Sequence, residues 1–184
     1  MVDQKYFFTQ FRYDALQRAK EKQKLMLDSE KTKKTSLNLY ERPYLGTVGA
    51  IALDKNGNLA AATSTGGMTN KMTGRIGDSP IIGSGTYADN DSVAVSCTGT
   101  GDIYMRVNAA HEVSALYKYK TSDVQKAAEE AVKEVAALGG SGGIISIDKA
   151  GKTGFAWTKD KLGMYHGEAR LGGKPVVYWP LGEK

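Results

Sequence analysis

Three glycine-flanked threonine clusters in this chain stand where strands would begin or end. They are Gly46-Thr47-Val48-Gly49-Ala50, Ala62-Thr63-Ser64-Thr65-Gly66-Gly67 and Ser96-Cys97-Thr98-Gly99-Thr100-Gly101. Threonine favours strands, so any one of them alone reads as an ordinary sheet residue. Three such junctions, with Gly74-Arg75-Ile76-Gly77-Asp78 between them, read instead as one shared site. A threonine hydroxyl becomes a useful nucleophile when a base lies beside it. The α-amine of an N-terminal threonine is such a base, with an intrinsic pKa of roughly 7.7–8.0. Thr47 is internal and would have to be freed by cleavage of the Gly46–Thr47 bond. Gly46 suits that role, because it tolerates strained backbone angles and crowds its own carbonyl least. Attack by Thr47 on that carbonyl would give an ester for water to hydrolyse. Arg75 and Asp78 add a bidentate cation and an anion on a glycine-containing loop, a match for an amino-acid zwitterion. The competing reading of that pair is a surface salt bridge of little consequence.

Other familiar sites are excluded. Two histidines, His111 and His166, with the single Cys97 give no zinc pattern, and His111 reads as structural. Gly151-Lys152-Thr153 resembles the end of a phosphate loop, but Ser146 stands where the leading glycine is required. Gly99-Thr100-Gly101 lacks the third glycine of a dinucleotide fingerprint, since Tyr104 occupies its place. No serine nucleophile elbow is present, and Gly139-Gly140-Ser141-Gly142-Gly143 reads as a packed turn. The sequence thus points to no metal ligands and no cofactor.

The elements that would position the threonines follow from periodicity. Thr9 is placed to cap a helix within residues 1–27, with Phe11, Leu16 and Ala19 on one face. Residues 28–46 are polar and aperiodic and read as an exposed linker ending in Arg42-Pro43-Tyr44-Leu45-Gly46. Thr47 to Asp54 and Leu59 to Thr65 form a hairpin around Lys55-Asn56-Gly57-Asn58, with a turn of the Asn-Gly type. Its small apolar residues predict a sheet covered on both faces. Val93–Cys97 is a further strand. Apolar spacing predicts one helix over Asp102–Lys118, and a second begins after Ser122 or Asp123. Ile144–Asp148 and Gly154–Thr158 form another hairpin, and Val176–Trp179 a last strand. The order suggests an α+β fold with sheets packed under a helical layer.

Bulk properties narrow the class. The 184 residues suffice for one domain with a real core, and 41% hydrophobic with 24% charged residues is ordinary for a globular protein. The net charge of +5 comes largely from lysines and arginines before residue 35, interrupted by Glu21, Asp28 and Glu30. That stretch reads as a solvated surface, with no nucleic-acid motif beside it. A single cysteine allows no intrachain disulfide and suits a reducing, cytoplasmic compartment. No apolar run approaches a membrane span, and no signal-peptide pattern follows Met1.

From Gly46 to about Arg106 the sequence resembles the start of the β subunit in plant-type L-asparaginase/isoaspartyl peptidases, which are N-terminal-nucleophile hydrolases. The matching runs are the three threonine segments, Gly74-Arg75-Ile76-Gly77-Asp78-Ser79-Pro80 and Tyr87-Ala88-Asp89-Asn90. Gly139 to Ile147 fits more loosely, and residues 1–27 resemble the helix that ends the α subunit. The resemblance implies an αββα sandwich. Residues 1–46 would then be the α-subunit end and linker, and residues 47–184 the β subunit. Thr47 would be the nucleophile, with Thr65 hydrogen-bonded to it. Thr98 and the N–H of Gly99 would form the oxyanion hole. Arg75 would hold the substrate α-carboxylate and Asp78 its α-ammonium, with Gly101 lining the pocket. The implied substrates are L-asparagine and β-aspartyl dipeptides. The implied assembly is an α/β heterodimer that pairs into a dimer of heterodimers.

Two departures bear on this reading. Only 46 residues precede Thr47, fewer than the family's long N-terminal region, which includes a loop for a structural sodium ion. The run Trp157-Thr158-Lys159-Asp160-Lys161-Leu162-Gly163-Met164 is longer than the family's usual tail motif, so substrate preference is expected to differ there. Glycosylasparaginases usually carry Asp where Gly46 stands and Asn where Gly67 stands. Taspase-like endopeptidases usually lack the acid found here at Asp78. An inactive relative acting as an interaction subunit is the alternative from another class.

Overall fold

The computed structural model describes residues 3–30, 46–159 and 163–178. Most of the expected linker and Trp179 of the expected last strand lie outside them, as do Asp160, Lys161 and Leu162. The described chain forms two compact units. The first contains helix α1 (Gln10–Glu30) and the loop Gly66–Arg75. Thr9 Oγ1 accepts from Arg12 N at 3.4 Å, as expected of a cap. The helix runs three residues past its expected end and takes in Asp28, Ser29 and Glu30. Phe11 remains 56% exposed, so the expected apolar face is not buried along its length. Asn70 Nδ2 donates to Gln23 Oε1 at 2.7 Å and ties the loop to the helix.

The second unit is built in layers. Strands β1 (Thr47–Leu53) and β2 (Leu59–Thr65) pair antiparallel and pack against a four-stranded antiparallel sheet. That sheet has the order β3 (Thr86–Ala88), β4 (Val93–Gly99), β5 (Gly142–Asp148) and β6 (Thr153–Trp157). Helices α2 (Gly101–Val107), α3 (Ala109–Leu116) and α4 (Val124–Ala137) cover its other face. A small pair, β7 (His166–Glu168) and β8 (Val176–Tyr178), follows. The strands β3 and β7 have no counterpart in the expected elements.

The pleat sorts the residues of β4. Val93, Val95 and Cys97 join the core under the helices, with Tyr104, Val113, Val135 and Ile144. Ser96 and Thr98 belong to the opposite set, toward the hairpin. In α4, Val124, Ala127, Ala128, Ala131, Val132 and Val135 are buried, the i, i+3, i+4 stripe of an amphipathic helix. Asp123 caps it by accepting from Lys126 N at 3.1 Å.

The hairpins β1–β2 and β5–β6 use one turn design. In Asp54-Lys55-Asn56-Gly57-Asn58, Asp54 N donates to Asn58 O at 2.9 Å, and Gly57 N donates to Asp54 O at 3.1 Å. In Asp148-Lys149-Ala150-Gly151-Lys152 the same bonds are both 3.0 Å. Each aspartate side chain gathers loop N–H groups, and each glycine takes a positive φ of 83° or 77°. The first is therefore a three-residue loop closed by a left-handed glycine, not the tight two-residue Asn-Gly turn.

Three further expectations need correction. The single helix over Asp102–Lys118 breaks at Asn108, which adopts φ 54°, and its end winds into a wider turn over Tyr117–Thr121. Asparagine tolerates that conformation, and the Asn108 side chain accepts from Ser84 Oγ at 3.3 Å. Gly142 and Gly143 belong to β5 rather than to a turn, because they pair with Gly99 and Thr98. The hairpin β1–β2 is covered on one face only among the described residues. Val48 is 73% exposed, and Ala50, Ala52, Ala60, Ala62 and Ser64 are exposed with it.

Candidate active site

The hairpin register places Thr47 directly opposite Thr65. Their hydroxyls meet, with Thr47 Oγ1 donating to Thr65 Oγ1 at 3.2 Å. The hairpin lies close on the sheet at Gly49, where a Cβ would stand 2.2 Å from Ser96 Oγ. Only glycine permits that approach. Thr63 Oγ1 fixes the same junction by donating to Gly85 O at 3.0 Å. Its oxygen is 2.7 Å from Ser96 Oγ. Thr63 has one hydroxyl hydrogen, already committed to Gly85, so Ser96 is the donor in that pair.

A cleft of about 130 Å³ opens where hairpin and sheet meet, and Thr47, Ser96 and Thr98 all line it. Its volume is well below the roughly 300–1,000 Å³ of a drug-sized pocket, a scale suited to the reacting end of a small substrate. Cys97 also reaches the cleft wall but is buried. Burial, and secondly the Asp78 carboxylate, push its thiol well above the usual range, so it stays protonated and is no competing nucleophile.

The backbone at Gly99 is set by pairing. Thr100 N donates to Ser141 O at 2.8 Å, and Ser141 N donates back to Thr100 Oγ1 at 3.2 Å, so Thr100 and Ser141 form the bonded pair that ends the ladder. Alternation then makes Gly99 and Gly142 a non-bonded pair, and the Gly99 N–H faces away from β5. That is the side on which Cys97 N donates to Gly85 O at 2.9 Å, and β3 extends only over Thr86–Ala88. Gly99 holds φ 148°, and a Cβ there would meet Ser141 O at 2.2 Å and the Tyr104 ring at 2.7 Å. Tyr104, wholly buried, thus supports the strand end from below. Gly101 is buried at the first position of α2.

Thr47, Thr65 and Thr98 are therefore brought together, with Gly99 next to Thr98. Asp78 is buried in the same unit, 7% exposed, close enough to act on Cys97. Arg75 belongs to the first unit, where a Cβ on Gly67 would lie 3.6 Å from its guanidinium. Gly46 belongs to that unit too and is exposed. Sequence reasoning missed Ser96, Met164 and His166, which also line the cleft. A period-two reading of Ser96 with Thr98 would have found the first. Among the described residues, no group of three or more His, Cys, Asp or Glu is placed to hold a metal ion. No helix among them is long and apolar enough to cross a membrane.

The family described as Asparaginase matches residues 1–174. The isoaspartyl peptidase of Escherichia coli is 46% identical over 177 residues, 96% of this chain and 53% of that protein. That of Salmonella typhimurium is 46% identical over 172 residues, 93% of this chain and 53% of its own. The isoaspartyl peptidase/L-asparaginase of Bos taurus is 43% identical over 143 residues, 77% of this chain and 46% of that one. The chain spans about half the length of the curated relatives it matches. Matched along nearly all of its own residues, the chain belongs to the asparaginase family.

Proposed function

We propose that the chain carries the nucleophile half of an amidohydrolase that converts L-asparagine to aspartate and ammonia and cleaves β-aspartyl dipeptides. The observation that carries this reading is Thr47, at the start of β1, bonded to Thr65 and sharing a cleft with Thr98. The names of the relatives, isoaspartyl peptidase and L-asparaginase, support the same substrates.

The chemistry begins with cleavage of the Gly46–Thr47 bond, which gives Thr47 a free α-amine. That amine takes the Oγ1 proton as the oxygen attacks the side-chain carbonyl, and Thr65 holds the hydroxyl in place. Negative charge develops on the carbonyl oxygen, where the Thr98 hydroxyl and the Gly99 N–H donate to it. Collapse breaks the C–N bond. The leaving ammonia or amine takes a proton from the Thr47 ammonium, and an ester remains. Water, deprotonated by the same amine, attacks that ester and releases aspartate, restoring the hydroxyl. Arg75 and Asp78 read the α-carboxylate and α-ammonium of the aspartyl unit, and Gly101 lines the pocket through its backbone. No step needs a metal or cofactor.

The two-part division at Gly46–Thr47 and the αββα sandwich belong to this proposal. So does the assembly of α/β heterodimers into pairs. The exposed outer face of β1–β2 favours cover by a further polypeptide or a second copy.

Substrate discrimination tests the proposal. The chain is expected to hydrolyse L-asparagine and β-aspartyl peptides and to leave α-linked aspartyl peptides intact. Asp78→Asn should raise KM about 30-fold, the equivalent of ~2 kcal/mol for an unpaired substrate ammonium. Equal hydrolysis of α- and β-linked peptides would rule the specificity out.

A further inference from the structure

The cleft has a second wall, and it is aromatic. The rows that cross the sheet on its hairpin-facing side are set by register. Thr98 pairs with Gly143, which pairs with Trp157; Ser96 pairs with Ile145, which pairs with Phe155. Two strand spacings separate Thr98 from Trp157, about 10 Å. Gly143 has no side chain to fill the gap, and Met164 fills it: a Cβ on Gly143 would stand 2.6 Å from Met164 Sδ.

His166 stands beside it and lines the cleft with Thr47 and Thr98. Its ring is held firmly. Nδ1 is 2.8 Å from Met164 O, and a carbonyl only accepts, so Nδ1 carries the proton. Tyr178 stacks on the ring at 4.8 Å and 14°. Phe155 and Trp157 pack at 4.3 Å and 5.7 Å. Charge is turned away: Glu168, the acid of β7, accepts from Thr153 Oγ1 at 3.0 Å at the far end of β6.

We propose that His166, backed by Phe155, Trp157 and Tyr178, forms the leaving-group subsite of the Thr47 cleft and favours β-aspartyl dipeptides whose second residue is aromatic. The inference rests on the amidohydrolase reading and adds the class of leaving group. Once the attacked carbonyl sits between Thr47 and Thr98, the residue beyond the scissile nitrogen lies within reach of a wall about 10 Å from Thr98. An aromatic side chain there gains stacking on fixed rings at little cost in ordering them. L-Asparagine, which releases only ammonia, does not reach the wall.

The test compares β-aspartyl-phenylalanine, β-aspartyl-glycine and L-asparagine as substrates of the unaltered chain, His166→Ala and His166→Phe. The unaltered chain should prefer the phenylalanine dipeptide over the glycine one. His166→Ala should lower kcat/KM for β-aspartyl-phenylalanine about tenfold, with L-asparagine changed less than about twofold, and His166→Phe should restore most of the loss. Equal losses on all three substrates, or no preference in the unaltered chain, overturn the subsite and leave the proposed function standing. No hydrolysis of any of the three by the unaltered chain overturns the proposed function, and this inference with it.

Discussion

Thr47→Ala is expected to abolish turnover of every substrate, with a loss on the order of 10⁴-fold or more in kcat. The size follows from what the substitution removes. Thr47 supplies the attacking oxygen, and the α-amine that serves as base belongs to the same residue once it is freed. No neighbour replaces them: Cys97 is buried with its thiol held protonated, and Ser96 already donates its hydrogen to Thr63. Water attacking in place of Oγ1 would lack the pre-positioned geometry that makes the step effectively unimolecular. The fold should tolerate the change, because Thr47 is half-buried at a strand start and outside the apolar core. Steady-state hydrolysis of β-aspartyl peptides measures the effect, and activity within tenfold of the unaltered chain would place the nucleophile elsewhere.

Thr98→Val should lower kcat about 10²–10³-fold while KM changes far less. Valine keeps the shape and removes only the hydroxyl. The oxyanion exists in the transition state and not in the bound substrate, so the lost bond appears in kcat. The Gly99 N–H remains, since the pairing of Thr100 with Ser141 keeps it turned away from β5. Residual activity should therefore survive, unlike in Thr47→Ala. Self-cleavage should slow as well, because it passes through the same kind of oxyanion. Normal turnover by Thr98→Val would remove Thr98 from the oxyanion hole.

In an antiparallel hairpin the numbers of paired residues keep a constant sum. The expected two-residue Asn-Gly turn would pair Lys55 with Asn58 and set Thr47 across from Gly66. Closure by Asp54 and Asn58 shifts the register by one and puts Thr47 across from Thr65, so this contact was not legible in the turn alone. The small residues around Thr47 and Thr98 were more informative, since Gly49 and Gly99 stand where a Cβ would collide with Ser96 or Tyr104. That Thr47 and Thr98 share a site was expected from the threonine junctions, but the way the hairpin lies across β4 to bring them together was not legible. The break at Asn108 was hidden for a different reason. The apolar residues Ile103, Val107 and Ala110 keep helical spacing through it, and one left-handed residue leaves that spacing unchanged. The aromatic wall was scattered over Phe155, Trp157, His166 and Tyr178, and only strand register gathers it. Period-two spacing of Phe155 and Trp157 opposite Gly143 was the one local sign.

Everything argued for Thr47 requires that it become an N-terminus. Intact-mass spectrometry of the purified chain, followed over prolonged incubation at neutral pH, reads this directly. The 184-residue species should give way to two pieces, residues 1–46 and residues 47–184, the second beginning with Thr47, while Thr47→Ala stays whole. A chain that remains a single uncut species throughout would contradict an N-terminal threonine nucleophile at this position.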